Sequence, residues 1–256
     1  MVVHDVNPCC PYIYKMYIDD MKKIIEPIAH FRSPFSSKFG VPRQSGIVED
    51  LKGQIVFCGE YRNPDALRGM DDFDYLWLIW GFSANADSRA VTVRPPLLGG
   101  NRRMGVFATR ASFRPNGLAL SSVKIERIEL DTPSGPVIHV LGADLMDGTP
   151  IYDIKPYLPY VDCHEDARGG FTDTHEWRRL RVVVPEEYAR CFDAGELSAL
   201  KEVLSLDPRP HYHDDASRVY GMPFAGLDVR FAVVGDVLTV VGVNASPPAP
   251  LQKRGE

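Results

Sequence analysis

The stretch FDYLWLIWGF (73–82) limits most tightly what this chain can fold into. It is apolar on both parities of a β-strand, so neither face reads as a solvent face, and the strand is expected to be covered on both sides. Its apolar run from Leu76 to Phe82 is strand-sized and far short of the ~18 residues a membrane span needs. Four further runs are rich in β-branched and aromatic residues: QIVFC (54–58), MGVFAT (104–109), LALSSVKIERIEL (118–130) and PVIHVLG (136–142). Within the third, Val123 and Ile125 alternate with Lys124 and Glu126, the signature of a half-buried strand. Glycine and proline number 21 each in 256 residues, which suits short strands joined by turns better than a helical bundle. The fold class is therefore mainly β.

Helical signals are fewer. Asn63 can cap a short helix with Pro64 at its first position and Gly69 at its end. GELSALKEVLSLDP places Leu197, Leu200 and Leu204 on one helical face, with Pro208 as terminator. VRFAVVGDVLTVV reads as a hairpin: Val229, Phe231 and Val233 alternate, and Gly235-Asp236 forms the turn. Composition shifts after Tyr160, where 162–181 becomes charged and linker-like. The expected organisation is an N-terminal extension (1–23), a β-rich main domain (24–161), a small C-terminal α+β domain (162–245) and a disordered tail (246–256).

Several chemistries lack their residues. The five cysteines (9, 10, 58, 163, 191) are scattered and show no C-x-x-C. That reads as a reduced, cytoplasmic protein with neither a disulfide framework nor a zinc finger. The first residues lack a basic region followed by an apolar one, so no secretory signal is expected. G-x-G-x-x-G, G-x-x-x-x-G-K-[ST], G-x-S-x-G and H-E-x-x-H are all missing. His211 and His213 beside Asp214 and Asp215 read as a solvated polar loop, so no metal is expected. A formal net charge of −5 excludes a generally basic coat but leaves room for a local positive patch.

Three stretches carry chemistry. RSPFSSKFGVPRQSG (32–46) sets Pro42, Arg43 and Gln44 between glycines, offering a guanidinium and a carboxamide to a carboxylate or an adenine edge. An ordinary surface loop is the alternative. From Arg89 to Arg114 there are six arginines (89, 94, 102, 103, 110, 114) and no acid, a localised positive surface suited to phosphates. Arg110 and Arg114 flank Phe113, which puts charge beside a stacking face. In DLMDGTPIYDIKPYLPY (144–160), Asp147-Gly148 marks a turn, and Asp153 and Lys155 read equally as a ligand anchor or a structural ion pair.

Together with DPRPHY (207–212), these stretches resemble the TrmO family, also known as the TsaA-like or YaeB-like group, closely from Ile24 to Tyr160 and more loosely beyond. The resemblance implies a single-sheet β-barrel that binds S-adenosylmethionine and methylates tRNA. The acceptor it implies is N6 of threonylcarbamoyl-adenosine beside the anticodon of a threonine tRNA. It further implies a homodimer with its cofactor sites near the subunit contact.

Carried over motif by motif, cofactor contacts are expected from Pro42, Arg43, Gln44, Tyr75, Leu76, Arg110, Leu120, Asp144, Leu145 and Met146. Arg94, Arg102, Arg103, Arg114 and Asn116 are expected to meet the RNA. A carbamoylated nitrogen is a poor nucleophile and must lose its proton as the methyl arrives. Asp147 is the preferred acceptor of that proton, Asp153 the second, and Lys155 the group that orients or neutralises the carbamoyl oxygen. Two positions depart from the family's R-P-N-P-[IL]-G: Gly117 and Ala119. They admit two alternatives, an enzyme of this fold that moves a methyl or aminocarboxypropyl group to a small molecule, and a non-catalytic module that binds the cofactor.

Overall fold

A computed structural model describes residues 23–85, 90–100, 102–174, 178–209, 215 and 217–245. The N-terminal extension up to residue 22, Arg89, His211, His213 and the tail after 245 therefore lie outside the described residues. The main element is a closed six-stranded barrel. It comprises β1 (Ala29–Arg32), β2 (Lys52–Phe57), β3 (Tyr75–Gly81), β6 (Leu118–Glu129), β7 (Val137–Leu141) and β8 (Pro150–Pro156). The strands run in the order β1-β2-β7-β6-β3-β8, every neighbouring pair antiparallel, and β8 returns to β1. Closure leaves no unpaired strand edge.

Alternation decides which side chains fill the barrel. On β3, Leu76, Leu78 and Trp80 point inward and are buried, joined by Val123, Ile138, Val140 and Ile151. The outward residues Tyr75, Trp77 and Ile79 are exposed or half-buried, so the expectation of a strand covered on both faces is corrected. Outside, Trp77 is covered in part by Tyr157, ring centroids 5.7 Å apart. A short helix, α1 (Pro159–Asp162), adds Asp162, which accepts the indole N–H of Trp77 at 2.8 Å. The alternation expected around Val123 holds until a bulge between Ile125 and Arg127 resets it and turns Ile128 toward the core. MGVFAT is strand only at β5 (Met104–Gly105), which pairs with β4 (Thr92–Val93); Val106–Ala108 curls into a 3-10 turn.

The C-terminal unit is a four-stranded sheet in the order β10-β11-β12-β9. Its strands are β9 (Arg181–Val183), β10 (Tyr220–Phe224), β11 (Leu227–Val234) and β12 (Val237–Ala245), with β9 parallel to β12. The expected hairpin is β11-β12: Val234 pairs with Val237 across Gly235 and Asp236, and Gly235 has a φ of +62° that favours glycine. After the short α2 (Glu186–Ala189), Asp193 caps α3 (Ala194–Ser205) in a capping box with Glu196. Leu200 and Leu204 of that helix are fully buried and Leu197 packs against the same core.

This second core also takes in Phe35, Val48 and Leu51, which flank the Pro42–Gln44 loop. The loop's two ends are thus anchored in the C-terminal unit while the strands beside it belong to the barrel. At roughly 1.5–3 kcal/mol for each large apolar side chain removed from water, the three anchors offset part of the entropy that ordering the loop costs.

Candidate functional site

Two glycines with positive φ, Gly40 at +89° and Gly46 at +80°, bracket the Pro42–Gln44 loop. Gly46 N–H donates to the Gly142 carbonyl at 2.8 Å, and Gly142 N–H to Leu51 at 2.9 Å. The loop is thereby held at the end of β7, where the chain continues into Asp144. Pro42 is buried. Gln44 Oε1 accepts from Arg110 Nη1 at 2.6 Å, which joins the first and second of the sequence motifs.

Asp144 joins the third. Its Oδ1 accepts the Ser121 hydroxyl at 2.6 Å, and the backbone N–H groups of Asp144 itself and of Ser45 also favour its charged form. Burial pushes this carboxyl above the ordinary carboxylate range, opposed by the Ser121 hydroxyl, those backbone N–H groups and the Arg110 charge. Gln44, Arg110 and Asp144 therefore form one constellation: an anion, a cation and a carboxamide around a partly buried floor.

Arg43 turns the other way, toward the C-terminal unit. Desolvation lowers its guanidinium from the usual arginine value and the Asp207 carboxylate raises it back. Asp207 is itself held by a two-pronged pair with Arg209, Nε to Oδ1 and Nη2 to Oδ2, both at 2.8 Å. Sequence reasoning gives Asp207 and Arg209 no role at the site, although DPRP is visible as a motif. A motif without a partner in sequence gives no address in space.

The remaining expected residues fall in three other places. Leu76 and Leu145 are fully buried in the barrel core, and Met146 is half-buried with its carbonyl accepting from Thr149. Asp147 ties two turns together: Oδ1 accepts Ser33 N–H at 3.1 Å, Oδ2 lies 3.5 Å from Arg32 Nη1, and its own N–H donates to Phe35. Tyr75, Leu120, Asp153 and Lys155 occupy the outer wall of the barrel, where Ile79 pairs in register with both Leu120 and Asp153 and Trp77 pairs with Lys155. Asp153 and Lys155 form an ion pair at 3.2 Å, and Leu120 is 52% exposed.

The arginine-rich segment is a braced, exposed arm. The β4-β5 pairing, an Arg103 Nη1 to Thr92 Oγ1 bond at 3.0 Å and an Arg114 Nη1 to Thr109 carbonyl bond at 3.0 Å stiffen it. Val106 is buried and anchors it, while Phe107 at 82% and Phe113 at 50% exposure stand out among Arg94, Arg102, Arg103 and Arg110. Asn116 and Gly117 close the arm with φ of +65° and +57°. Proline cannot adopt the latter, so the Gly117 departure is a real change of backbone path. Among the described residues no group of three or more His, Cys, Asp or Glu side chains is placed to hold a metal, and no helix is long and apolar enough to cross a membrane.

The paired charges of Arg110 and Asp144 suit the zwitterionic amino-acid end of S-adenosylmethionine, so the donor set fits that cofactor. A closed antiparallel barrel with this loop-borne constellation and an appended α+β unit defines a methyltransferase architecture built without a Rossmann crossover. Crystal structures of TrmO from Pseudomonas aeruginosa share it, one with a TM-score of 0.72 at 30% identity, over 88% of this chain and 99% of that one. The tRNA-methyltransferase O N-terminal domain model matches residues 30–163 and the TrmO C-terminal domain model residues 185–246. The chain belongs to the tRNA-methyltransferase O family. It is 37% identical to the tRNA (adenine(37)-N6)-methyltransferase of Escherichia coli K12, over 81% of this chain and 92% of that protein. With the protein of the same name from Eikenella corrodens it shares 41% over 68% of this chain and 98% of the other.

Proposed function

We propose that this protein is an S-adenosylmethionine-dependent methyltransferase that methylates N6 of adenine 37, the tRNA base beside the anticodon. The observation that carries the reading is the convergence of Gln44, Arg110 and Asp144 from three separate motifs on one partly buried site. When bound, S-adenosylmethionine supplies an electrophilic methyl group on a sulfonium. Arg110 receives its carboxylate, Asp144 receives a cationic group, and the Pro42–Gln44 backbone lines the adenine. The arm from Val91 to Arg114 carries the RNA: its arginines meet phosphates and its two exposed phenylalanines offer stacking faces to unpaired bases.

The finer assignments belong to the same reading. The acceptor is the threonylcarbamoyl form of the base in a threonine tRNA, and the enzyme works in the cytoplasm. It is a homodimer: four expected site residues lie on the outer wall of β3, β6 and β8, where a second copy brings them to its partner's constellation. Asp147 accepts the N6 proton, because its Oδ2 is solvent-facing and contacts Arg32 only at 3.5 Å. The test supplies methyl-tritiated S-adenosylmethionine and bulk tRNA lacking the modification. Label recovered in N6-methylated adenosine at position 37 supports the reading. Label in a small metabolite, or none transferred despite binding, overturns it in favour of the two alternatives from the sequence.

A further inference from the structure

Inside the barrel, one polar chain runs from the core to the site. Trp80 Nε1 donates to Ser121 Oγ at 2.9 Å, and Ser121 Oγ donates to Asp144 Oδ1 at 2.6 Å. Trp80 and Ser121 are 7% and 2% exposed, and Ser121 is one of three buried polar residues in the described core. The direction of the chain is forced. An indole N–H only donates, so Ser121 must accept from Trp80, and its single proton is committed to Asp144. The indole cannot turn, because its ring packs edge-on against Phe82 with centroids 4.7 Å apart.

A carboxylate has about four acceptor sites. At Asp144 the Ser121 hydroxyl takes one of them, on Oδ1 at 2.6 Å. The others stay turned toward the site, where Arg110 is the charged group acting on the carboxylate. A buried serine with no access to solvent would ordinarily bond back to its own strand. Here a tryptophan aims it at the carboxylate instead.

We propose that Ser121, oriented by Trp80, is a positioning residue that fixes the rotation of the Asp144 carboxylate and so aims its remaining acceptor sites at the cationic part of the methyl donor. The proposal rests on the reading of Asp144 as a cofactor contact. Because Ser121 bonds the charged form of Asp144, its loss raises the carboxyl further, and cofactor binding is then lost at a higher pH than in the parent protein. A change that merely loosened packing would lower affinity equally at every pH.

Calorimetric titration of S-adenosylmethionine into the full chain across pH 5–9 tests this, with thermal melting as the check of folding. Ser121→Ala is expected to bind about three- to tenfold more weakly near neutral pH, the worth of one hydrogen bond of ordinary net strength. Its acid midpoint of binding should move upward, and Ser121→Thr, which keeps the hydroxyl, should restore both. Trp80→Phe should give a smaller upward shift. Asp144→Asn separates the two possible failures. Unchanged cofactor binding in that variant overturns the reading of the site itself. Weakened binding there, with Ser121→Ala folded and either like the parent or weaker without a moved midpoint, overturns the positioning role alone. A Ser121→Ala that does not fold leaves Trp80→Phe and Ser121→Thr to decide, and an unmoved midpoint in Trp80→Phe then overturns it.

Discussion

Phe35, in the segment that leads into the Pro42–Gln44 loop, meets Phe224 at the end of the C-terminal sheet edge-on, with ring centroids 5.4 Å apart at an interplanar angle of 67°. Both rings are fully buried, so the segment that leads into the Pro42–Gln44 loop is supported by an aromatic contact between distant parts of the chain. Phe192 joins the same group at 6.1 Å from Phe224. Phe224→Ala should therefore cost about 3–5 kcal/mol in a denaturant melt. The folded remainder should also bind S-adenosylmethionine more weakly, though Phe224 touches none of the proposed contacts.

Arg110→Ala should weaken cofactor binding by about 1.5–3 kcal/mol, as calorimetry would read it, whereas Arg43→Ala, whose side chain faces Asp207, should change binding less. They differ in stability. Arg110 is exposed and bonds Gln44, so its loss should leave the melting temperature nearly unchanged. Arg43 faces the Asp207–Arg209 pair, and its loss leaves Asp207 short of positive charge. Unchanged affinity in Arg110→Ala removes that residue's assigned cofactor contact.

The arm allows charge and stacking to be measured apart. Arg102→Glu with Arg103→Glu should lower the slope of log tRNA affinity against log salt by about 0.7–0.9 for each phosphate that is no longer neutralised. Phe107→Ala should weaken tRNA binding by about 1–3 kcal/mol and leave that slope alone, because stacking releases no counterions. An altered sedimentation coefficient in Phe107→Ala would instead assign this ring to a contact between copies of the chain.

Asp147→Asn retains an oxygen for Ser33 N–H, so the turn it ties should survive. Binding of cofactor and tRNA should stay near parent levels while single-turnover methylation falls by about 10²–10⁴-fold, the range for a general base. Turnover at the parent rate places the proton acceptor elsewhere.

His139 supplies a pH prediction independent of the site. It is buried on β7 between Arg127 and Glu129, its Nε2 3.1 Å from Glu129 and 3.3 Å from Arg127. Burial lowers its imidazole first, Arg127 lowers it further, and Glu129 and Glu126 oppose them. The unfolded chain thus takes up the proton before the folded one does. Stability is full above the ordinary histidine value and falls as pH drops below it toward the depressed folded value. His139→Gln should flatten the decline in melting temperature between about pH 7.5 and 5.5, the range around an ordinary histidine; an equally steep decline would assign it to other groups.

What the sequence makes legible follows from which forces act locally. The β11-β12 hairpin and α3 are written in periodicity and turn chemistry, and Val229, Phe231 and Leu200 lie buried where alternation and helical spacing put them. β1 and β8 are not legible, because AHFR and PIYDIKP carry charges and prolines and become strands through pairing with distant partners. FDYLWLIW misleads in the opposite direction. Its outward residues Tyr75, Trp77 and Ile79 are apolar without being fully covered within one chain. At the site, motif resemblance points to Gln44, Arg110 and Asp144. It cannot reveal Ser121, an ordinary serine in a strand until Trp80 is seen above it.

Phe35, Val48 and Leu51, which flank the Pro42–Gln44 loop, sit in a core whose other buried members run from Leu180 to Val240. A ribosome releases the barrel strands, which end at Pro156, long before β12 exists. The nascent barrel can close, but Phe35, Val48 and Leu51 have nothing to pack against until translation is almost finished. The segment that carries Pro42, Arg43 and Gln44 thus gains the rest of its core last, after every barrel strand has left the ribosome.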